Sequence, residues 1–416
     1  MNIQSKLRYI PFNRKFASLM LIVMSTQLVS IEGYTVSFVK VGIMIIAVAL
    51  YILQTPYITK AVITGGIYWG ICFFTAIFNT NLRFSTLGYL GMFLLSYMLF
   101  YQYVYTHTFT LPQFKRLLRF LLLAFCATLV IQQVSVMLGF MNMPILNLGI
   151  SHELGYKAYY TWNRLPTLTC EPSHGAVVLT GLILGYIRCL EIEKRGIKVT
   201  IQDLFNNENC LVAFSYLYLI VFMGSGTGWI GLGIISLYFV RIKSMLYVIP
   251  ALLTVLVLLQ TSGNKQFNRA VAAITATITM DQSKIRKADG SGAMRIVPLI
   301  NTIKSDYSDK ATWLGKGTTQ LIKDENAWVI AYKRKIMTVE QYGLIALIAS
   351  IFFVYCCIIR SFFSIETLCF IILLTCTIGN VYIIWSMLYI FTATRYFKEK
   401  SSNFDSDGCI TYNSQL

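Results

Sequence analysis

Long apolar segments alternate with short polar connections along most of the chain. A helix needs about 20 apolar residues to cross the hydrocarbon core of a bilayer, and its backbone groups must be paired within the segment. The pattern therefore predicts a bundle of transmembrane helices. Gly379 and Asn380 interrupt the apolar stretch from Ile365 to Phe391 and favour two short helices there. The predicted spans are residues 16–31, 36–53, 58–78, 84–105, 116–139, 173–190, 210–223, 227–240, 244–261, 337–359, 365–378 and 381–395.

The predicted fold class is an all-α polytopic integral membrane protein of about twelve helices with one large outer loop. The composition agrees, because 56% of the residues are hydrophobic and only 13% are charged, whereas charged residues make up about a quarter of a soluble domain. The predicted parts are helices 1–5 (1–139), a first outer loop (140–172), helices 6–9 (173–261), a large outer loop (262–336), helices 10–12 (337–395) and a cytoplasmic tail (396–416).

Lysine and arginine in the short loops predict the orientation, because these residues are enriched in cytoplasmic loops. With the N-terminus inside, the inner loops hold most of them, whereas the short outer connections hold chiefly Lys40 and Arg83. Both termini are then cytoplasmic, and the long loops 140–171 and 262–335 lie outside. We expect a multi-pass membrane protein with this orientation.

The outer stretch 262–335 is basic, with thirteen Lys and Arg against six acids. One interpretation is a solvated loop that rests on anionic lipid headgroups. The other is a binding surface for an anionic ligand, for which a fixed arginine suits pyrophosphate through its planar fork of donors. The middles of the spans hold essentially no ionisable residues, unlike the spans of an ion-coupled transporter. Binding or chemistry is therefore expected at the outer surface.

Two outward motifs lie at the starts of predicted spans. Arg164 precedes Glu171, Pro172, Ser173 and His174, where Pro172 suits a first helical turn and free N–H groups could hold an anion. The alternative interpretation is a capping and turn cluster. The second motif is 224–228, Gly-Ser-Gly-Thr-Gly, which contains Ser225 and Thr227 and could also be a tight helical hairpin.

A third group of motifs lies in and after the large loop. Ser-Gly-Ala-Met-Arg at 291–295 is followed by Trp-Leu-Gly-Lys-Gly at 313–317, which includes Lys316. Asp324, Glu325 and Asn326 come next, and Glu-Gln-Tyr-Gly-Leu at 340–344 opens the following span.

In this order the motifs resemble those of the O-antigen polymerase and ligase superfamily over roughly residues 160–395. That family has an Arg before a Glu-Pro-Ser span start, a Ser-Arg-Thr-Gly-like turn, an Arg that opens the large loop, a Gly-x-Gly and a Glu-x-x-Gly-Leu-type span start. The resemblance implies a metal-independent glycosyltransferase of the membrane-embedded C type, without a cofactor, that uses undecaprenyl-pyrophosphate-linked sugars at the outer face. Arg164 and Arg295 are then expected to hold the donor pyrophosphate, with Ser173, Ser225, Thr227 and Lys316 as further ligand contacts.

Two departures from the family pattern bear on the activity. Gly226 stands where the family often has an arginine, and Glu325-Asn326 stands where ligases carry a His-Asn pair. No histidine lies in residues 262–335, which favours a polymerase over a ligase. The general base is left open among Glu171, Glu325 and His174.

The predicted function is a polymerase that joins lipid-linked oligosaccharide repeat units into O-antigen or capsular polysaccharide. The alternatives are an O-antigen ligase that transfers glycan to the lipid A core, a lipid-linked oligosaccharide flippase or other transporter, and a scaffold of the polysaccharide machinery. The expected partners are the undecaprenyl-pyrophosphate-linked oligosaccharide, membrane lipid, a chain-length regulator and a flippase, with no nucleic acid. Neither zinc-type spacing nor a disulfide framework occurs among the ten cysteines, and the three histidines are scattered.

Overall fold

The structure, a computed structural model, describes residues 3–27, 37–54, 58–79, 84–106, 109–139, 165–169, 171–240, 290–317, 334–379 and 381–412. The regular elements in these residues are helices. They are α1 (Ile3–Ser25), α2 (Phe38–Leu53), α3 (Lys60–Ile77), α4 (Phe84–Tyr105), α5 (Leu111–Met137), α6 (Pro172–Glu193), α7 (Ile201–Leu204), α8 (Cys210–Phe222), α9 (Gly226–Phe239), α10 (Gly290–Ile303), α11 (Lys310–Leu314), α12 (Met337–Cys357), α13 (Ile365–Leu368) and α14 (Tyr382–Tyr412).

Within the described residues, five helices are long and apolar enough to cross a membrane: α3, α4, α5, α6 and α12. The shorter helices α2, α8 and α9 are also apolar. The outward faces of the bundle carry large apolar side chains, such as Ile45, Phe74, Phe120 and Phe352, each more than half exposed. A surface of this kind is unfavourable in water. The chain is therefore a helical membrane protein, and the predicted helical class is confirmed at this level.

Hydroxyl groups join helices in the interior, as expected where lipid gives no hydrophobic driving force between helices. The Tyr97 and Thr392 side-chain oxygens are 2.8 Å apart, and those of Ser25 and Ser386 are also 2.8 Å apart. The Phe93 and Trp385 rings stack with centroids 5.7 Å apart in the same layer. Helices α1, α4 and α14 are thus held together by aromatic packing and short polar contacts.

The region around Gly379 forms two separate helices, as predicted. The first is short, because α13 continues only as a π-helical turn from Cys369 to Leu373. Thr375 and Cys376 then adopt positive φ angles of 50° and 53°, which end the helix. After this break α14 begins at Tyr382 and continues well beyond residue 395, the predicted end of the span.

Three further predicted parts differ from the structure or lie outside the described residues. The predicted outer loop 262–336 contains the helices α10 and α11. The predicted tail 396–416 begins as a continuation of α14, where the pair Arg395–Glu399 at 2.8 Å adds i,i+4 support. The predicted span 244–261 lies outside the described residues.

Side-chain contacts define two ends of the bundle. Helices α3 and α12 are antiparallel, since Thr64 contacts Cys357 at one end and Asn79 donates to the Leu314 carbonyl near the start of α12 at the other. Helices α6 and α14 are parallel, because His174 lies near Tyr382 and Glu191 pairs with Lys398. We call the end with Glu171, Ser225 and Gly343 the motif end, and the end with Arg188, Arg360 and Arg395 the arginine end.

Candidate functional site

The Glu-Pro-Ser motif forms the start of α6 at the motif end. Glu171 is the extended N-cap residue (φ −147°, ψ 140°), and Pro172 occupies the first turn, where its missing donor is harmless. The Glu171 side chain does not cap the helix. It points to His174 instead, with 3.6 Å between Oε2 and Nε2, and both side chains are about one-third exposed. The structure therefore pairs two of the three candidate bases in a position open to solvent.

A buried cation contacts the same tyrosine as His174. The His174 ring meets the Tyr382 ring edge to face, with centroids 6.4 Å apart. The Lys40 ammonium lies 3.0 Å from the centroid of the same Tyr382 ring, and Lys40 is only 3% exposed. A cation over an aromatic face is stabilised by the ring quadrupole. Lys40 was predicted only as an outer-loop charge, and its place on the Tyr382 ring depends on the packing of α2 against α4 and of α4 against α14.

The glycine-rich turn lies beside the start of α6. Gly224 has a φ of 61°, which favours glycine, and Ser225 follows as the extended N-cap residue of α9. Helix α9 packs closely along α6, since a Cβ at Gly231 would come within 2.1 Å of the Thr180 hydroxyl oxygen. The two helices thus begin side by side, and both direct their N-terminal partial positive charges toward the motif end.

The serine and threonine side chains of these two motifs are buried rather than displayed. Ser173 is 7% exposed, Ser225 6% and Thr227 3%. Within the described residues the Thr227 hydroxyl has no hydrogen-bond partner. A buried hydroxyl without a partner is costly, so the Thr227 hydroxyl has capacity for a further partner.

The loop motif Trp-Leu-Gly-Lys-Gly packs directly on the span start Glu-Gln-Tyr-Gly-Leu. Gly315 and Gly343 have φ angles of 78° and 84°. A Cβ on Gly343 would lie 1.9 Å from the Trp313 carbonyl oxygen, and a Cβ on Gly315 would lie 2.5 Å from the Gln341 carbonyl oxygen. The Lys316 N–H donates to the Glu340 carbonyl over 2.7 Å. The structure therefore brings together two motifs that are separate in sequence, through their backbones.

Charged residues surround this backbone contact of Gly315 with Gly343, which we call the Gly315–Gly343 crossing. The Lys316 side chain is exposed, and Lys316, Arg334 and Lys335 act electrostatically on the half-buried Glu340. Lys335 also donates to the Thr312 hydroxyl over 3.0 Å. Glu340 was predicted only as a charged residue at a span end. Its position among three cations makes it a further carboxylate at the motif end.

Three candidate residues lack a described side chain. Arg164 and Glu325 lie outside the described residues. Arg295 lies on α10, whose backbone is described, but the side chain at 295 is not. Helix α10 docks against the start of α12, because the Ile336 N–H donates to the Thr302 hydroxyl over 2.9 Å. Asn301 also donates to the Arg334 carbonyl over 2.9 Å.

The arginine end carries a separate group of charges. Arg188 binds Glu366 through two contacts, from Nε at 2.7 Å and from Nη2 at 3.0 Å, and Glu191 at 2.5 Å. Nearby, Thr200 and Asp203 form a capping box at the start of α7. The Lys194 ammonium, together with the Thr200 donors, lowers the pKa of Asp203 to about 2. The Arg188–Glu366 pair was not predicted, because sequence spacing does not show which helix ends meet.

No protein-family model matches this chain, and no curated protein and no solved structure is similar enough to count as a match.

Proposed function

We propose that the chain is a polysaccharide polymerase that joins undecaprenyl-pyrophosphate-linked oligosaccharide repeat units at the outer face of a bacterial cytoplasmic membrane. The observation that carries the proposal is the pairing of Glu171 with His174 at 3.6 Å, at the start of a membrane helix. A base at that level meets a substrate whose lipid tail stays in the bilayer and whose sugar extends into water. The proposed architecture is a twelve-span bundle of the membrane-embedded glycosyltransferase C type, with both termini cytoplasmic.

The reaction needs a base for the acceptor. A sugar hydroxyl of one repeat unit attacks the anomeric carbon at the reducing end of the growing chain, while the bond from that carbon to the pyrophosphate oxygen breaks. The hydroxyl proton goes to the base, and undecaprenyl pyrophosphate leaves. Glu171 is our first candidate for the base, because its carboxylate is partly exposed and beside an imidazole. In this arrangement His174 positions the carboxylate, whose negative charge is neutralised when it takes up the hydroxyl proton.

The leaving pyrophosphate needs positive charge and hydrogen-bond donors. The adjacent N-termini of α6 and α9 supply partial positive charge at the motif end. Lys40 adds a full positive charge on the Tyr382 ring, which His174 also contacts. Lys316 adds an exposed positive charge at the Gly315–Gly343 crossing. By the family resemblance, Arg164 and Arg295 hold the pyrophosphate itself through bidentate contacts.

A polymerase fits the described charges better than a flippase. A flippase that carries a pyrophosphate across the membrane needs charge along its path. The described ionisable contacts instead cluster at the two ends, at Lys40 and Glu171 on one side and at Arg188 and Glu366 on the other.

Deletion of the single gene tests the proposal. Loss of a polymerase leaves one repeat unit on the acceptor, so the surface polysaccharide collapses from a ladder to one short band on a gel. Loss of a ligase would leave the bare core instead, and loss of a flippase would leave repeat units inside the cell. Either of the last two results would refute the polymerase.

A further inference from the structure

A recess at the arginine end lies where the ends of α6 and α12 meet α13 and the middle of α14. We call it the cationic recess, and its ionisable lining residues are Arg188, Glu191, Arg360, Glu366, Arg395 and Lys398. Four cations thus face two carboxylates, which leaves two net positive charges. This recess is separated from the motif end by the length of the bundle, so the proposed polymerase site does not account for it.

The excess positive charge falls mainly on Arg360. Arg188 neutralises Glu366 and shares Glu191 with Lys398, whose ammonium lies 3.3 Å from that carboxylate. Arg395 caps the end of α12 by donating to the Tyr355 carbonyl over 2.9 Å and pairs with Glu399. Arg360, by contrast, is exposed and has no ion-pair partner among the described residues. One guanidinium with five donors therefore borders the recess without an acid.

A second observation places this recess at the lipid–water boundary. Residues 360–364 read Arg-Ser-Phe-Phe-Ser, and the side chains of Phe362 and Phe363 are 59% and 94% exposed. Two adjacent exposed phenylalanines are unfavourable in water. At the end of a membrane helix such side chains enter the outer part of the bilayer, while an adjacent arginine stays at the headgroup level.

We propose that the cationic recess binds the phosphate headgroup of an anionic membrane phospholipid. Arg360 and Lys398 contact the phosphate, and the Arg188–Glu366 ion pair forms the floor that keeps the recess open. Among the lining serines, Ser361 offers a further donor, whereas the Ser364 and Ser401 hydroxyls already donate to backbone carbonyls. The lipid chains lie beside Phe362 and Phe363. The site holds one leaflet lipid against α6, α12 and α14, and it requires neither the proposed polymerase activity nor a particular orientation.

Native mass spectrometry of the purified full chain in detergent tests this site. Phosphatidylglycerol is titrated against phosphatidylethanolamine with the same acyl chains. One basic residue near an anionic lipid surface contributes about fivefold in affinity, so Arg360→Gln should weaken phosphatidylglycerol binding by about fivefold, and Arg360→Gln combined with Lys398→Gln by more. Arg360 is exposed, so Arg360→Gln should keep the wild-type thermal midpoint.

Arg116→Gln is the matched control, because Arg116 is an exposed arginine at the same end of the bundle, on α5. It removes the same charge outside the recess and should leave the affinity almost unchanged. Equal loss in Arg116→Gln and Arg360→Gln would contradict the site, as would equal binding of the two lipids by the wild type. Displacement of phosphatidylglycerol by excess inorganic phosphate would show that the recess recognises a free phosphate instead, which overturns the lipid assignment.

Discussion

Gly315 and Gly343 cross backbone to backbone, and neither position can accept a side chain. Each has a φ angle that L-residues rarely adopt, 78° and 84°, and a Cβ on either would come within 2.5 Å of a backbone atom of the other segment. Backbone cannot move aside as a flexible side chain can. This crossing fixes the large loop on the start of α12 and thereby sets the position of Lys316.

We expect Gly315→Ala and Gly343→Ala each to destabilise the protein by about 3 kcal/mol or more, because the strained backbone and the overlap act together. The measurement is the thermal midpoint of the detergent-solubilised protein, with aggregation followed by size exclusion. Gly70→Ala is the control. A Cβ at Gly70, on α3, meets nothing within 4 Å, and alanine favours helix by about 1 kcal/mol. Wild-type midpoints in both variants would show that the two segments are not held in this way.

Replacement of the proposed base by its amide should stop the reaction without unfolding the protein. Glu171→Gln keeps the size of the side chain but removes basicity, so we expect kcat to fall about 10²–10⁴-fold with little change in the thermal midpoint. The measurement is the initial rate of polymer formation with purified lipid-linked repeat units. Glu208→Gln, at an exposed position away from the motif end, should have the wild-type rate. An unchanged rate in Glu171→Gln would remove Glu171 as the base.

The other candidate bases are tested with the same assay, each replaced by glutamine. If Glu171→Gln is active, we expect the rate to fall in Glu325→Gln, since Glu325 takes the place of the ligase histidine, or in Glu340→Gln. Normal rates in all three amide variants would exclude carboxylate base catalysis. His174→Gln should weaken the rate less than Glu171→Gln if His174 acts by positioning the carboxylate. It should also shift the pH–rate profile, which a purely structural role would not do.

Lys40→Met should separate activity from stability. A buried ammonium carries a desolvation cost that methionine does not, so we expect a thermal midpoint equal to or above that of the wild type. The length of the polymer should nevertheless fall, because the motif end loses a positive charge. Lys60→Met, at an exposed position on α3, is the control and should keep full length. Full-length polymer in Lys40→Met would mean that Lys40 serves only the packing of Tyr382.

Arg188 should be among the residues most sensitive to truncation at the arginine end. Arg188→Met leaves Glu191 and Glu366 without their main partner, and breaking a buried pair costs about 3–5 kcal/mol. We expect the double variant Arg188→Met with Glu366→Met to be more stable than Arg188→Met alone, because it removes one uncompensated charge. Arg188→Lys should rescue only in part, since one ammonium cannot reproduce the two contacts to Glu366. Thermal midpoints of the three variants are the measurement, and a double variant no more stable than Arg188→Met would contradict the network.

Impermeant thiol labelling tests which end faces outward. Cysteine at Lys316, at the motif end, should react in intact spheroplasts, whereas cysteine at Lys198 should react only after permeabilisation. Both changes are made in a background without reactive native cysteines. The expectation rests on the predicted excess of lysine and arginine in the inner loops. Labelling of position 198 in intact spheroplasts would invert the assignment.

The apolar helices could be predicted from the sequence because a membrane helix pairs its backbone hydrogen-bonding groups within its own segment. A long apolar segment therefore indicates a helix without reference to the rest of the fold. The break near Gly379 was also predictable, because glycine and asparagine interrupt the apolar stretch there. By contrast, the π-helical turn from Cys369 to Leu373 has no local sequence signal. The helix Gly290–Ile303 was also missed, because its sequence is mixed and lies in a basic region that resembles a loop.

The candidate site was predictable in part. The Glu-Pro-Ser and glycine motifs indicated helix starts, and the structure forms a helix start at each. The contacts of Lys40 with Tyr382 and of Gly315 with Gly343 were not predictable, because they join residues far apart in sequence. The burial of Ser225 and Thr227 was missed for the same reason, since their exposure depends on how closely α9 packs on α6.

The most direct test of the proposed function uses the purified chain in nanodiscs with undecaprenyl-pyrophosphate-linked repeat units as the only substrate. We predict a ladder of lipid-linked products that lengthens with time, releases undecaprenyl pyrophosphate in step with each added repeat, and is absent with Glu171→Gln. Substrate that stays at a single repeat unit, with protein that its thermal midpoint shows to be folded, would contradict the account.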